Sequence, residues 1–258
     1  MNSLFDVSGR TVLITGGVNG LGRMIAEGML CAGAKVYVTT RKADAVDTAQ
    51  RELSALGDCT VLAANLTDPK GATALAQEIM TREPALNVLI NNAGKTWGAK
   101  LEAFPDKAWA PVFDVNVQVP FTLIRDLLGP LRKAASAEDP ARVINIGSLA
   151  GTVVERIDAF SYAASKAAIH HLSRVLAAEL ADQHITVNVV VPGYFPTHMT
   201  AHIREAPAEL EQLVRRVPLA RLGHADDIVG ACRFLSSRAG RYLTGSELYV
   251  DGGMAGCR

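Results

Sequence analysis

A tyrosine and a lysine four positions apart are the residues whose spacing most directly indicates chemistry. They lie in Tyr162-Ala163-Ala164-Ser165-Lys166, and positions four apart share one face of a helix. A phenol has a pKa of about 10, and a neighbouring cation lowers it by stabilising the phenolate. The pair predicts acid–base catalysis, with Ser148, which ends an apolar run, as a further polar group. Taken alone, the motif also fits an ordinary surface pair.

A glycine-rich segment near the N-terminus, Thr15–Gly22 (TGGVNGLG), lies between an apolar run and a helical pattern. Gly16 would permit a sharp turn, Gly20 the approach of a diphosphate, and Gly22 close packing of helix on strand. The following helix N-terminus offers N–H groups and a positive dipole to phosphate. The segment predicts a dinucleotide site, although a purely structural turn would use the same glycines.

The second apolar run ends in Thr39-Thr40-Arg41-Lys42. An NAD site usually has an acidic residue near this strand end, where it binds the ribose 2′-hydroxyl. Here Thr40 is followed by Arg41, whose guanidinium can hold a 2′-phosphate with paired donors. We therefore expect NADP(H) to be preferred, with NAD(H) possible. A solvated arginine at a strand end is the alternative.

Seven short, β-branched apolar runs alternate with segments of helical periodicity and would position these groups. Their nearly continuous apolar character is typical of strands that are covered on both faces, and the β-α-β-α order favours a parallel sheet. We predict one α/β domain over residues 1–258, a doubly wound seven-stranded parallel sheet with helices on both faces (a Rossmann fold). The predicted strands are Thr11–Thr15, Lys35–Thr40, Thr60–Asn65, Val88–Ala93, Val143–Ser148, Thr186–Pro192 and Glu247–Asp251.

Composition excludes several classes of protein. The 258 residues include 26 basic and 26 acidic side chains, so no global field attracts nucleic acid or an anionic membrane. Four scattered cysteines without a CxxC pair argue against a disulfide framework or a metal site. Neither a signal-like N-terminus nor a long apolar run is present, so we expect a soluble cytoplasmic protein with no metal, membrane or nucleic-acid partner.

The motifs, in this order, resemble the short-chain dehydrogenase/reductase family over essentially the whole chain. The matching segments are Thr15–Gly22, Asn91–Gly94 (NNAG), Asn116, Ser148, Tyr162–Lys166, Pro192-Gly193 with Thr197, and Tyr242–Gly253. The resemblance implies that Tyr162 exchanges the proton with the substrate oxygen, which Ser148 binds. Lys166 would hold the nicotinamide ribose and lower the pKa of Tyr162, and Asn116 would bind a water that extends the proton relay.

The resemblance also implies a set of cofactor contacts at the strand ends. They are Gly16, Asn19, Gly20, Leu21, Gly22, Thr40, Arg41, Asn65, Leu66, Asn92, Ala93, Gly94, Tyr162, Lys166, Pro192, Gly193 and Thr197. Two positions depart from the family pattern. Asn65 replaces a common acidic contact to adenine, and Asn19 replaces a basic residue frequent in NADP-preferring members. Arg41 is thereby left as the main phosphate anchor.

The substrate pocket implied by the resemblance is apolar and would suit a hydrophobic carbonyl compound, although ordinary core packing is an alternative for each member. Its candidates are Trp97, Leu149, Val153, Tyr194, Phe195 and Met199. Residues 194–223 form an unusually long connection and are predicted as a substrate lid, with a peripheral helical hairpin as the alternative. Arg215, Arg216 and Arg221 within it would meet the phosphates of a thioester carrier or be solvated.

The expected function is NADPH-dependent reduction of a ketone or 3-oxoacyl carbonyl to a secondary alcohol. Segments Lys95–Trp109 and Ala134–Ser148 resemble β-ketoacyl reductases of rhamnolipid-type lipid synthesis. An alcohol or sugar-type dehydrogenase working oxidatively is the alternative, and a non-catalytic NADP-sensing protein is a remote one. Small residues in the predicted helix Ser161–Leu180, together with the family resemblance, imply a homotetramer or homodimer.

Overall fold

Seven parallel strands form one sheet in the order β3-β2-β1-β4-β5-β6-β7. The computed structural model describes residues 4–155, 157–197 and 206–257. Because the chain crosses from the β3 edge to β4 beside β1, the strand order reverses there, and ligands bind outside the carboxyl ends of strands at such a point. The strands are β1 Thr11–Ile14, β2 Lys35–Thr40, β3 Cys59–Ala63, β4 Val88–Asn91, β5 Ala141–Ile146, β6 Ile185–Pro192 and β7 Glu247–Val250.

All seven predicted strands are confirmed, and their ends differ from the prediction by at most two residues. The differences at β4 and β5 have a structural cause. The backbone N–H groups of Asn92 and Ala93 donate to Thr15 Oγ1, each at 3.0 Å. The N–H of Ser148 donates to the His170 ring. These residues have therefore left the strand ladder for contacts at the sheet edge.

Helices cover both faces of the sheet, as predicted. The alternation of side chains along β1 shows the two layers: Val12 and Ile14 pack in one hydrophobic core with α1, α2 and α9, whereas Leu13 packs in the other with α3, α5, α6 and α7. The helices are α1 Gly20–Cys31, α2 Val46–Ser54, α3 Pro69–Arg82, α4 Trp109–Phe113, α5 Val119–Asp126, α6 Leu128–Ala134, α7 Phe160–Leu180, α8 Pro207–Arg215 and α9 Ala225–Ser236.

A buried polar network fixes α7 against the sheet. Asn91 Nδ2 of β4 donates to Asn145 Oδ1 of β5 at 2.8 Å, and Asn145 Nδ2 donates to Ser173 Oγ of α7 at 2.8 Å. Hydrophobic contacts alone allow a helix to slide on a sheet, whereas these bonds pair the two buried amide donors in one register only, and Asn91 Oδ1 is left without a hydrogen-bond partner. The network therefore sets the position of the helix that carries Tyr162 and Lys166.

The long connection after β6 contains α8 among its described residues. Two of the arginines predicted there form exposed ion pairs, Arg215 with Glu211 and Arg221 with Asp227, each at 2.6 Å. Among the described residues, no helix is both long and apolar enough to cross a lipid bilayer.

Candidate active site

The glycine-rich turn joins β1 to α1 at the point where the strand order reverses. Gly16 and Gly20 have φ of +66° and +56°, values that favour glycine. Gly22 has helical φ, but a Cβ there would collide with the Gly16 carbonyl and the Asn92 side chain. The turn thus presents backbone rather than side chains to the carboxyl edge of the sheet.

Neighbouring strands hold this turn through Thr39, which was not among the predicted site residues, and through Asn92, which was predicted as a cofactor contact. Thr39 Oγ1 of β2 accepts from Gly16 N–H at 3.0 Å. Asn92, after β4, donates its amide to the carbonyls of Thr15 and Gly16 at 2.9 and 3.1 Å. The Asn92 side chain is therefore committed to supporting the turn. The polar residues at the ends of successive strands were the sequence pattern that could have predicted these contacts.

The N-terminus of α1 fits an anionic group. Its first turn contains no acidic residue, and the preceding Asn19 is exposed and makes no capping bond from its side chain. Leu21 packs against the core. Thr197 lies beside the turn, with its Cβ 3.6 Å from where a Gly20 Cβ would stand. The free N–H groups and the helix dipole favour a phosphate at this position.

The ends of β2 and β3 lie next to this turn. Thr40 is buried and Arg41 is exposed, and no carboxylate among the described residues lies within ion-pair distance of Arg41. Asn65 is also exposed, with its Oδ1 accepting from the Thr67 hydroxyl at 2.9 Å, while Leu66 is buried. Arg41 is thus available to an anion, and Asn65 retains its amide donors.

Asn116 lies in one turn of π-helix, Asp114–Gln118, between α4 and α5. Its side chain accepts from Lys95 N–H at 2.8 Å and donates to Lys95 O and to Ser165 Oγ, at 2.9 and 2.8 Å. Such π-turns are frequent at functional sites. A Cβ on Gly94 would lie 3.6 Å from Asn116 Oδ1 and 3.9 Å from Lys166 Nζ. The glycine therefore leaves space in front of both groups.

The fold brings Ser148, Tyr162 and Lys166 together. Ser148 follows β5 and its side chain lies close enough to the Tyr162 phenol to lower the pKa of Tyr162, while Ser148 Oγ accepts from Ala150 N–H at 3.2 Å. Lys166 Nζ lies 5.7 Å from the centre of the Tyr162 ring and donates to Ile146 O at 2.7 Å. A hydroxyl, a phenol and an ammonium thus converge where β5 ends, as acid–base chemistry requires.

The end of β6 lies at the same carboxyl edge of the sheet as the ends of β1, β4 and β5. Gly193 N–H donates to Val250 O at 2.9 Å, and a Cβ on Gly193 would lie 2.7 Å from Asp251 Cα. Glycine is therefore required there by the approach of the chain after β7. Pro192, which ends β6, is buried.

The substrate-pocket candidates divide between core and surface. Leu149 and Phe195 are each 2% exposed and pack in hydrophobic cores, whereas Trp97 is 38% exposed. Val153 and Tyr194 are partly buried and border the Leu149 cluster. Met199 lies outside the described residues. Apolar type alone did not distinguish core positions from lining positions.

Comparisons with known proteins agree with this geometry. The family model described as enoyl-(acyl carrier protein) reductase matches residues 16–255. The chain belongs to the short-chain dehydrogenase/reductase family. A rhamnolipids biosynthesis 3-oxoacyl-[acyl-carrier-protein] reductase of Pseudomonas aeruginosa is 46% identical over 254 residues, which are 98% of this chain and 99% of that protein. A galactitol 2-dehydrogenase (L-tagatose-forming) of Cereibacter sphaeroides is 36% identical over 252 residues, 97% of each chain.

A solved structure gives the same result for the fold. The Pseudomonas aeruginosa RhlG/NADP active-site complex superposes with a TM-score of 0.95 at 46% identity, covering 99% of this chain and 100% of the other. The chain is thus a member of a family of nicotinamide-dependent oxidoreductases over its whole described length.

Burial dominates the electrostatics of this short-chain dehydrogenase/reductase site. Burial raises the pKa of Tyr162, the polar side chain of Ser148 opposes that shift, and the charge of Glu155 adds to it. Burial also lowers the pKa of Lys166 to about 8. From charge alone, Lys166 was predicted to lower the pKa of Tyr162. Desolvation of the phenol is the larger effect here, because it disfavours the charged phenolate.

Glu155 is a site residue that the sequence analysis missed. It lies in the loop between β5 and α7, its side chain is only 6% exposed, and its Oε1 accepts from Tyr194 OH at 2.8 Å. Arg216, beyond α8, approaches the same oxygen at 3.9 Å. A carboxylate of the β5–α7 loop therefore contacts the long connection at its start, through Tyr194, and again after α8, through Arg216. No motif marks Glu155 in the sequence.

Replacing Lys166 by an uncharged residue should increase stability in a pH-dependent way. The pKa of Lys166 is lowered from 10.5 to about 8, so burying the ammonium costs about 3 kcal/mol at pH 7. The cost is complete below pH 8, falls as the pH rises towards 10.5, and is absent above it. Lys166→Met should therefore raise the free energy of unfolding in denaturant titrations at pH 7, with little gain at pH 10.5.

The matched control for this prediction is Lys133→Met, because Lys133 is exposed. It should change stability little, and equally at both pH values. An equal effect of Lys166→Met at pH 7 and 10.5 would show that the buried ammonium carries no such cost.

Proposed function

We propose that this protein catalyses NADPH-dependent reduction of a ketone or 3-oxoacyl carbonyl to a secondary alcohol. The observation that carries the proposal is the convergence of Ser148, Tyr162 and Lys166 beside a glycine turn suited to a dinucleotide. The 3-oxoacyl substrate class is supported by the relative with 46% identity. The bound cofactor supplies the hydride, and the protein supplies orientation, proton transfer and electrostatic stabilisation.

In this mechanism, Tyr162 gives its proton to the carbonyl oxygen while Ser148 donates a hydrogen bond to the same oxygen. Both act where negative charge develops, so they stabilise the transition state more than the ground state. Lys166 holds the nicotinamide ribose hydroxyls and sends a proton back towards Tyr162. Asn116 supports a water that continues this relay.

The cofactor would lie along the carboxyl ends of the strands. We assign its diphosphate to the glycine turn, its 2′-phosphate to Arg41 after Thr40, and its adenine to the neighbourhood of Asn65 and Leu66. Ala93 and Gly94 would border the ribose, with Thr197 and the Pro192-Gly193 turn near the nicotinamide. An NADP complex of the structural neighbour supports NADP(H), and NAD(H) remains the alternative.

An oxidative alcohol or sugar-type dehydrogenase is the second candidate, supported by the galactitol dehydrogenase relative with 36% identity. A non-catalytic NADP-sensing protein is disfavoured because both Tyr162 and Lys166 are present and close together. Turnover of ketones, 3-oxoacyl thioesters and polyols, each with both nicotinamide cofactors, distinguishes these functions.

We also propose that residues 194–223 form a lid over the substrate. Two observations support this proposal. The segment starts at the end of β6, and its residues Tyr194 and Arg216 contact Glu155, whose charge raises the pKa of Tyr162. Val153 and Trp97 would border the entrance. Leu149 and Phe195 would shape the pocket from the core behind it.

The Tyr162→Phe variant tests the chemistry. It removes the proton donor and keeps the ring, so kcat should fall by about 10²- to 10⁴-fold while NADPH affinity stays near the wild-type value. Steady-state kinetics with the best substrate and NADPH fluorescence titration measure the two quantities. Turnover near the wild-type rate would refute the proposed mechanism.

The Arg41→Asp variant tests the cofactor preference. A carboxylate repels the 2′-phosphate and can accept from a 2′-hydroxyl, so the NADPH/NADH ratio of kcat/KM should fall by about 10- to 100-fold. Lys42→Asp is the matched control, because it places the same charge one residue further from β2 and should change the ratio less. An unchanged ratio in Arg41→Asp would mean that another group recognises the phosphate.

We propose assembly as a homotetramer through α7, with a homodimer as the alternative. Ala167, Val175 and Ala178 are exposed along this helix, and Val175 is 52% exposed. This row of small and apolar side chains allows close approach of a second copy in a symmetric assembly. Light scattering at micromolar concentration should give four times the 27.4 kDa mass of one chain, or twice that mass for a homodimer. A monomer would contradict the proposal.

A further inference from the structure

His170 is a buried histidine that the proposed mechanism does not use. It lies four residues after Lys166 on α7 and is 3% exposed. The loop after β5 passes directly over its ring: a Cβ on Gly147 would collide with His170 Nε2 and lie 2.7 Å from Val189 Cγ1. The glycine thus permits contact between the imidazole and the backbone that leads into Ser148.

The contacts of His170 determine which nitrogen carries the proton. The Ser148 backbone N–H donates to Nε2 at 3.3 Å. Nδ1 lies 3.3 Å from Thr152 Oγ1 and 3.3 Å from Glu247 Oε2. Because a backbone N–H can only donate, Nε2 must be the acceptor, and the proton of the neutral ring lies on Nδ1.

Glu247 is in turn fixed by two groups. Arg174 Nη1 contacts its Oε1 at 2.5 Å, and Tyr249 OH donates to its Oε2 at 2.8 Å. These residues line a surface cavity of about 580 Å³ that also includes His170. The carboxylate orients the ring, as in other carboxylate–histidine pairs, and the cavity gives protons a route to it.

We infer that His170 is a positioning residue that holds Ser148 in its catalytic place only while the imidazole is neutral. Protonation would put a second N–H in front of the Ser148 N–H, so the bond would break and the Ser148 hydroxyl would lose its alignment with Tyr162. Turnover should therefore fall on the acid side. This inference rests on the proposed roles of Ser148 and Tyr162.

The charged groups around the imidazole shift its pKa in both directions. Burial lowers the pKa of His170 below its usual 6.5, Lys166 and Arg174 on the same helix lower it further, and Glu247 from β7 raises it. Tyr249 from β7 and Thr152 from the loop contribute polar contacts. The ring is thus neutral at neutral pH, and the acid loss of activity should lie below pH 6.5.

Two substitutions of His170 distinguish the role of its hydrogen-bond acceptor from that of its side-chain volume. His170→Gln keeps an acceptor for Ser148 N–H but cannot titrate, whereas His170→Leu fills similar space without an acceptor. We expect kcat to fall about tenfold in the leucine variant, with little change in the glutamine variant at pH 7. The acid loss of kcat should disappear in the glutamine variant. NADPH affinity, measured by fluorescence, should stay unchanged in both.

Two further variants predict the direction in which the acid limb of the pH profile of kcat should move. Glu247→Gln removes the charge that favours the imidazolium, so the acid limb of kcat should move to lower pH. Arg174→Gln removes a repelling cation, so the limb should move to higher pH. His184→Asn is the control, because His184 is exposed and has a left-handed backbone (φ +55°) that asparagine tolerates. Its profile should match the wild type.

An acid limb retained in His170→Gln, or a wild-type kcat in a folded His170→Leu, would overturn the inference. If the leucine variant fails to fold, the profiles of His170→Gln and Glu247→Gln decide the question. The outcomes are separable from those of the proposed function, because Tyr162→Phe tests that function directly. An inactive Tyr162→Phe together with a retained acid limb in His170→Gln would refute the role of His170 alone.

Discussion

The buried ammonium of Lys166 is the constraint on which the rest of the site depends. It is 5% exposed, and its hydrogen bond goes to the carbonyl of Ile146, the last residue of β5. A buried cation is costly, so it persists only where the surroundings are fixed for other reasons. A Cβ on Gly94 would lie 3.9 Å from Lys166 Nζ, so the glycine keeps a side chain out of contact with the ammonium. Stability is thus lost locally to keep a cation beside Tyr162.

Buried polar links supply the required rigidity. Asn91, Asn145 and Ser173 connect β4, β5 and α7, and Thr15 with Asn92 connects the glycine turn to β4. Hydrophobic cores on the two faces provide most of the favourable free energy, but they do not select one register of a helix on a sheet. The hydrogen bonds of these side-chain amides select one register, since a shifted register would leave buried donors unsatisfied. The glycine turn and α7 are consequently both linked to β4, the turn through Asn92 and the helix through Asn145 and Asn91.

The sequence predicted the sheet and the central residues because both depend on local patterns. Apolar runs identify the strands, and the spacing of Tyr162 and Lys166 follows from helix geometry. His170, Glu155 and Thr39 escaped prediction, because their partners lie far away in the chain: Thr39 contacts Gly16, and His170 contacts Glu247. The expected effect of Lys166 on Tyr162 considered charge alone, whereas desolvation depends on packing that no spacing encodes.

The same desolvation bears on the pH range in which Tyr162 keeps its proton. A phenol whose pKa is raised by burial and by Glu155 keeps its proton at neutral pH, and a protonated Tyr162 is the form that reduction consumes. Oxidation needs the phenolate, which this environment disfavours until the pH rises. The Ser148 side chain acts in the opposite sense, because it favours the phenolate and so lowers the pKa of Tyr162. An unperturbed phenol is already protonated at pH 7, so the raised pKa extends to higher pH the range in which Tyr162 can donate a proton.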